Sequence, residues 1–518
     1  MQRRDFNLWL QRSALAIALT PWTKALAEPG NANVSWKNNP FTLGVASGCP
    51  RSDSLVFWTR LLFSDEDQGK SMHTQRVKLE VFADEALKRR VHTQELLTDA
   101  ARAHSVHAQI KRLMPSTDYW YRFTQADASS TVGHARTAPT RTAQVQQLKL
   151  ALTSCQNFEH GLFVAHQEIA KESLDFVLFL GDYIYESNSS QILTRKHSNE
   201  EPKTLAQYRA RYEQYKSDPL LQASHAAHAW VLMWDDHEVV NDYANDQDRN
   251  YTDPKTFLQR RAAAYQAYFE HQPVWIAPNA NRPESMHLYD QFSWGQLADI
   301  WTLDCRQYRS AQACRDPLRG GGRMVTQCAE LDDPHRTMLG WEQERWLNQT
   351  LRASKATWKL ISQATQISST SVPAPVGKAY WNDAWDGYPQ ARKRLLQTVV
   401  DAKLKNVVTL GGDVHMNVAA SLRQEPNNPD SPAVASEFVG TSITSRGMGE
   451  KALATIRSTN SDIEFARSDE RGYSVITVTP EGVRCDFKTT AFPAGSESAF
   501  KTQASFVVKR NQVGPQPL

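Results

Sequence analysis

Four short segments hold residue types that can bind cations and move protons. They are Ser154-Cys155-Gln156, then Gly181-Asp182-Tyr183-Ile184-Tyr185, then Asp235-Asp236-His237-Glu238 with Asn241, and Gly411-Gly412-Asp413-Val414-His415. Between them they offer a thiol, a phenol, an amide, imidazoles and several carboxylates. Taken singly, each has an ordinary structural explanation: a buried thiol, a core aromatic with a polar tip, a cap, an ion pair. Taken together, carboxylates gathered in one place repel one another, and cations are the simplest way to hold them.

The elements around these segments explain how they meet. Each segment follows a short apolar run: Leu148–Thr153, Asp175–Leu180, Trp230–Trp234 and Asn406–Leu410. Continuous apolar runs of this length mark strands buried on both faces. Further strands are expected at Leu297–Leu303, Trp358–Ile361, Tyr473–Thr479 and Val483–Thr489. Helical spacing falls between them, at 161–172, Leu205–Tyr215, Phe257–Tyr268 and Gln343–Ala353. Strands alternating with helices imply a layered α/β domain, and open α/β sheets bind ligands beyond the carboxyl ends of their strands. Cys155, Asp182, Tyr185, Asp236, Asn241, Asp413 and His415 are therefore the expected metal ligands. His237, beside Asp236, is a candidate for protonating a leaving group. Arg306 and Arg309 suit either an anion clamp or, with Asp304 nearby, an internal salt bridge.

Upstream, residues 38–140 carry short period-two runs such as Val77–Phe82 and Val106–Ile110, separated by turn signals such as Pro115-Ser116. That spacing predicts a small all-β sandwich. The boundaries expected are 1–27 for a targeting segment, 38–140 for the sandwich, 146–495 for the α/β domain and 496–518 for a tail.

Composition sets the class. The chain has 518 residues, too many for one ordinary core, with 41% hydrophobic and 22% charged residues, as in a soluble globular protein. The formal net charge of +3 equals the excess of Arg3, Arg4, Arg12 and Lys24 over Asp5 within residues 1–27. The rest is near neutral, which excludes a nucleic-acid scaffold that works by bulk charge. Arg3-Arg4-Asp5-Phe6, an apolar run from Ala14 to Leu19, Pro21 and Ala25-Leu26-Ala27 resemble a Tat-type export signal. The run is too short to span a bilayer, and no later segment is long and apolar enough to do so. Export by the Tat machinery to the periplasm or the medium would permit disulfides. Cys314 and Cys328, flanking the Gly-rich basic loop Arg319-Gly320-Gly321-Gly322-Arg323, are placed for one.

The order and spacing of these blocks resemble the PhoD-type alkaline phosphatase and phosphodiesterase family, within the metallophosphoesterase superfamily. Supporting blocks are Gly44–Gly48, Phe57–Arg60, Leu303–Arg309, Trp385–Pro389 and Glu437–Ser442. The resemblance implies an α/β layered metallophosphoesterase domain, mixed sheets flanked by helices, preceded by an immunoglobulin/fibronectin-like sandwich. It implies a ferric ion on Cys155, Asp182, Tyr185 and His415. Calcium ions would sit beside it on Asp182 as bridge, with Asp236, Asn241 and Asp413. Thiolate, phenolate and imidazole suit iron, while carboxylate and amide oxygens suit calcium. The implied reaction is attack on phosphorus by a metal-activated water or oxide, on small phosphate monoesters and diesters. The alternatives are a phospholipase D or other phosphodiesterase of the same family, and a surface binding module with structural metals.

Overall fold

The computed structural model describes residues 35–190 and 194–518. The expected targeting segment, 1–27, lies outside the described residues.

Two large sheets form the centre. In the first, Leu148–Thr153, Phe176–Leu180, Ala229–Met233 and Val45–Gly48 run parallel and adjacent. In the second, Ala298–Leu303, Trp358–Gln363, Val407–Gly411 and Ala433–Val439 do the same. The continuous apolar runs are explained by what covers each face. Leu150, Leu152, Leu178, Leu180 and Met233 point between the sheets, against Ile300, Leu360, Leu410 and Phe438. Val177, Phe179 and Trp230 point outward, under Tyr208, Tyr212 and Tyr215 of the helix Leu205–Lys216 and Tyr265 and Tyr268 of the helix Pro254–His271. On the far side, the helices Trp341–Ala353 and Pro389–Asp401 cover the second sheet through Leu347, Leu351, Leu395 and Val399. The order is thus helix, sheet, sheet, helix, with both sheets buried.

Helix starts follow local rules. Thr204 and Gln207 form a reciprocal capping box, and Asp253 accepts from the Thr256 N–H ahead of a helix that begins with Pro254.

Strand pairing crosses two of the expected boundaries. The strands Val45–Gly48, Ser54–Arg60 and Ser105–Lys111 extend the first large sheet, with Ser47 opposite Ala229. They share a core with a separate sheet built on Gln75–Phe82, Arg90–Thr98 and Asp118–Gln125, through Phe57, Leu79, Val81 and Tyr121. The N-terminal region thus packs two sheets over one core, and one of them is continuous with the first large sheet. Residues 496–518, expected as a tail, instead contribute the strand Lys501–Lys509, paired antiparallel to Gly482–Ala491, and the short edge strand Gln516–Pro517. Phe506 and Val508 seal the inter-sheet core, which is the physical reason the segment is ordered.

Candidate metal centre

Leu148–Thr153, Phe176–Leu180 and Ala229–Met233 end side by side in the first sheet, Val407–Gly411 ends in the second, and the loops that follow them converge. Ligand atoms of Cys155, Asp182 and His415 lie within 4.8 Å of one another, as do those of Asp182, Asp235 and Asp413, and those of Asp182, Asp236 and His237. Asp182 belongs to all three groups, so it sits at the junction of the cluster. Tyr185 joins it: the Tyr185 hydroxyl donates to Asp182 Oδ2 at 2.8 Å and lies 3.2 Å from His415 Nε2. Of the seven expected ligands, the structure brings Cys155, Asp182, Tyr185, Asp236, Asp413 and His415 together. Asn241 is half-buried in the loop after Asp236, where its backbone N–H donates to Glu186 Oε1 at 2.9 Å.

The backbone is bent to make this possible. Cys155, Asp182, Asp413 and His415 all have left-handed φ, between 54° and 63°. For residues with a Cβ this conformation costs about 1 kcal/mol or more and persists only where the surroundings enforce it. Gly181, at φ 97°, has no alternative: a Cβ there would lie 2.5 Å from the Asp235 backbone nitrogen. Glu238 fastens two of the loops by accepting from the N–H groups of Asp182, Tyr183 and Asp235 at 3.2, 2.6 and 2.9 Å. Thr365 donates to Asp413 Oδ2 at 2.8 Å. His415 Nδ1 faces the Arg446 carbonyl at 2.7 Å and must carry its proton there, which leaves Nε2 with a free lone pair toward Tyr185.

The electrostatics call for a cation. Burial raises the Cys155 thiol, and Asp182 and Asp413 raise it further. Burial raises Asp182, with Asp236, Asp235 and Glu238 adding to it against His237. Burial raises Asp413, and Asp235 and Asp236 add to it against Arg306. Tyr185 is raised by burial and by Asp182 and Cys155. Burial drives His415 down to about 3, so the imidazole is neutral and able to ligate. Asp182 Oδ1 and Asp236 Oδ1 are buried and accept no hydrogen bond. A buried carboxylate oxygen without a partner is costly unless a cation meets it.

Sequence reasoning missed several participants. Asp242 and Asp383 form a fourth group with Asp236, within 4.8 Å. Glu186 holds His237, its Oε2 2.5 Å from Nδ1, and the His237 ring lies over Tyr185 with centroids 4.1 Å apart. Burial opposes protonation of His237, but Glu186, Asp182 and Asp236 overcome it and hold the imidazolium well above its usual range. The signal for Glu186 was its position one residue past Tyr185; nothing local marked Asp383. Arg306 is engaged with carboxylates. Its guanidinium is 1% exposed and bound to Asp235 by two contacts and to Asp383 at 2.7 Å, with Asp236 at 3.6 Å. Arg309 is likewise committed to Asp383 and the Tyr243 carbonyl. Both guanidiniums are buried and spend most of their donors on carboxylates and backbone carbonyls, the arrangement of an internal salt bridge, here with Asp235 and Asp383.

Comparison with known proteins shows what the chain is similar to. Residues 150–487 match the PhoD-like phosphatase family and residues 25–139 match the N-terminal domain of PhoD-like phosphatases. Alkaline phosphatase D of Bacillus subtilis (strain 168) is 41% identical over 512 residues, covering 97% of this chain and 86% of that protein. A solved structure described as "Structure of PhoD" superposes with a TM-score of 0.88 at 40% identity, covering 94% of this chain and 93% of that one.

Proposed function

The chain belongs to the PhoD-like phosphatase family and is a phosphate-ester hydrolase; from that premise we propose that it is an exported, metal-dependent phosphatase whose centre is the strand-end cluster around Asp182. The observation that carries the reading is the convergence of Cys155, Asp182 and His415 ligand atoms within 4.8 Å, with Tyr185 against two of them.

The residues fit the cations that the resemblance implies. Cys155, Asp182, Tyr185 and His415 would hold ferric iron, offering it a thiolate, a carboxylate, a phenolate and an imidazole. Asp236, Asn241 and Asp413 supply hard oxygens suited to calcium, and the partnerless Asp182 Oδ1 and Asp236 Oδ1 are the atoms most in need of such a partner. Bound cations would neutralise phosphate charge and lower the pKa of the attacking water. The protein's own groups do the rest. Glu186 fixes the angle and the positive charge of His237, whose Nε2 proton is the one for transfer to the leaving-group oxygen. Arg306 and Arg309 balance Asp235 and Asp383, which keeps the acidic cluster folded without drawing charge from the phosphate. Monoesters are the primary substrates, with diesters also accepted. The N-terminal sandwich is proposed to be immunoglobulin/fibronectin-like and to brace the catalytic sheet.

Export is supported by the twin-arginine segment and by the Cys314–Cys328 disulfide, which needs an oxidising compartment. No described helix is long and apolar enough to cross a membrane.

The test is removal of metal. Chelation should abolish hydrolysis of 4-nitrophenyl phosphate, and ferric iron with calcium should restore it along with a visible tyrosinate-to-iron absorption band. Full activity in a protein that holds zinc alone would overturn the iron–calcium assignment. Full activity after complete metal removal would overturn metal dependence itself.

A further inference from the structure

The loop between Cys314 and Cys328 holds Arg315, Arg319 and Arg323 with Asp316 as the one acid among residues 315–323. Its frame is fixed on several sides. The disulfide closes it. Gly320 N–H donates to the Arg249 carbonyl at 2.9 Å, and Arg323 N–H donates to the Asn382 side chain at 2.7 Å. Asn382 in turn donates to the Ala313 carbonyl at 2.7 Å and precedes Asp383 of the acidic cluster.

The loop also touches the metal centre through two hydrogen bonds in series. Gly322 N–H donates to Asp242 Oδ2 at 3.0 Å, and Asp242 N–H donates to Asp236 Oδ2 at 2.6 Å. The loop therefore rims the cluster on its Asp236 side. Arg315 is already engaged, bonded to Gln247 and lying over Tyr251. Among the described residues the Arg323 guanidinium pairs with Asp316, at 3.7 Å, and both side chains are 44% exposed. Arg319 is exposed and has no carboxylate partner among the described residues. It lies three residues from Gly322, within about 10 Å along the chain. Two accessible guanidiniums thus stand on a rigid rim, while Arg306 and Arg309, closer to the cluster, are consumed internally.

We propose that Arg319 and Arg323 are specificity-determining residues that recognise a second anionic group, a phosphate or carboxylate, on phosphate-ester substrates. The proposal rests on the phosphatase reading and adds a substrate class to it. Guanidinium forks suit phosphate and carboxylate oxygens, and solvent-exposed pairs contribute modestly and depend on salt.

The experiment compares the mono- and bisphosphates of one alkanediol, by initial release of inorganic phosphate from the metal-loaded enzyme at low and high salt. The wild type should show kcat/KM several-fold higher for the bisphosphate at low salt, beyond the twofold statistical factor, and the advantage should shrink at high salt. In Arg319→Ala/Arg323→Ala the bisphosphate value should fall roughly three- to tenfold, with the monophosphate value changing less than twofold. Arg319→Lys/Arg323→Lys should recover part of the loss. Equal losses on both substrates, or no bisphosphate advantage in the wild type, would overturn the proposal while leaving the phosphatase reading intact. Failure of the wild type to hydrolyse either substrate would instead strike at the phosphatase reading.

Discussion

Replacing Arg306 by alanine separates the two roles its position suggested. The side chain makes three carboxylate contacts, two to Asp235 and one to Asp383, and stands 3.6 Å from Asp236. Its loss would leave three buried carboxylates with Arg309, already bound to Asp383, and the His237 imidazolium beside Asp236 as the remaining cations. Charge-assisted hydrogen bonds contribute about 1.5–3 kcal/mol each, so a simple sum over three would reach about 4.5–9 kcal/mol. One escape lowers that figure. Burial already pushes Asp235 up to about 6, so without its arginine it can take up a proton. The expected loss is therefore the usual cost of breaking a buried pair, about 3–5 kcal/mol. Unfolding of the purified variant by urea, with and without added metal, measures it. Arg306→Ala/Asp383→Ala should be less destabilised than the sum of the single variants, because the second change removes one of the orphaned charges. Metal affinity should fall about 10–100-fold through disorder of Asp236. An Arg306→Ala protein that unfolds like the wild type but has a greatly raised KM would refute the internal counter-charge and restore the phosphate clamp.

Other outcomes follow from neighbouring contacts. His237→Asn should lower kcat by about 10²–10⁴-fold on substrates with poor leaving groups and much less on 4-nitrophenyl phosphate, and Glu186→Gln should reproduce part of that split. Equal losses on both leaving groups would remove His237 from the proton transfer. Removing the Cys314–Cys328 bridge, which closes 14 residues, should cost about 3 kcal/mol on chain-entropy grounds, read as a lowered unfolding midpoint of Cys314→Ser/Cys328→Ser; an unchanged midpoint would contradict this.

Much of the site was legible because its signals are local. A strand buried on both faces shows as an apolar run, and the polar residue that follows it lies at the strand's carboxyl end, as Asp182 and Asp413 do. Three helices, Leu205–Lys216, Pro254–His271 and Trp341–Ala353, likewise fall where their spacing predicts. What was not legible depends on distant pairing. Asp383 comes from a loop 77 residues beyond Arg306, and only the folded chain shows that they meet. The strand Val45–Gly48 shows a local β signal, but not that it adds to Ala229–Met233 instead of closing a separate sandwich. Residues Lys501–Lys509 mix polar and apolar positions because this strand lies near a sheet edge, which made them resemble a tail. Arg306 carried the right chemistry for a clamp, and its burial, which decides its role, is a property of the packing alone.

The most direct measurement is the Asp182→Asn protein, assayed for bound iron and calcium and for phosphate-ester hydrolysis alongside the wild type. Asp182 belongs to three of the four groups of ligand atoms, so the account predicts substoichiometric metal and at least about a hundredfold loss of kcat/KM on both mono- and diesters. Full metal content with unchanged hydrolysis of every phosphate ester would contradict it.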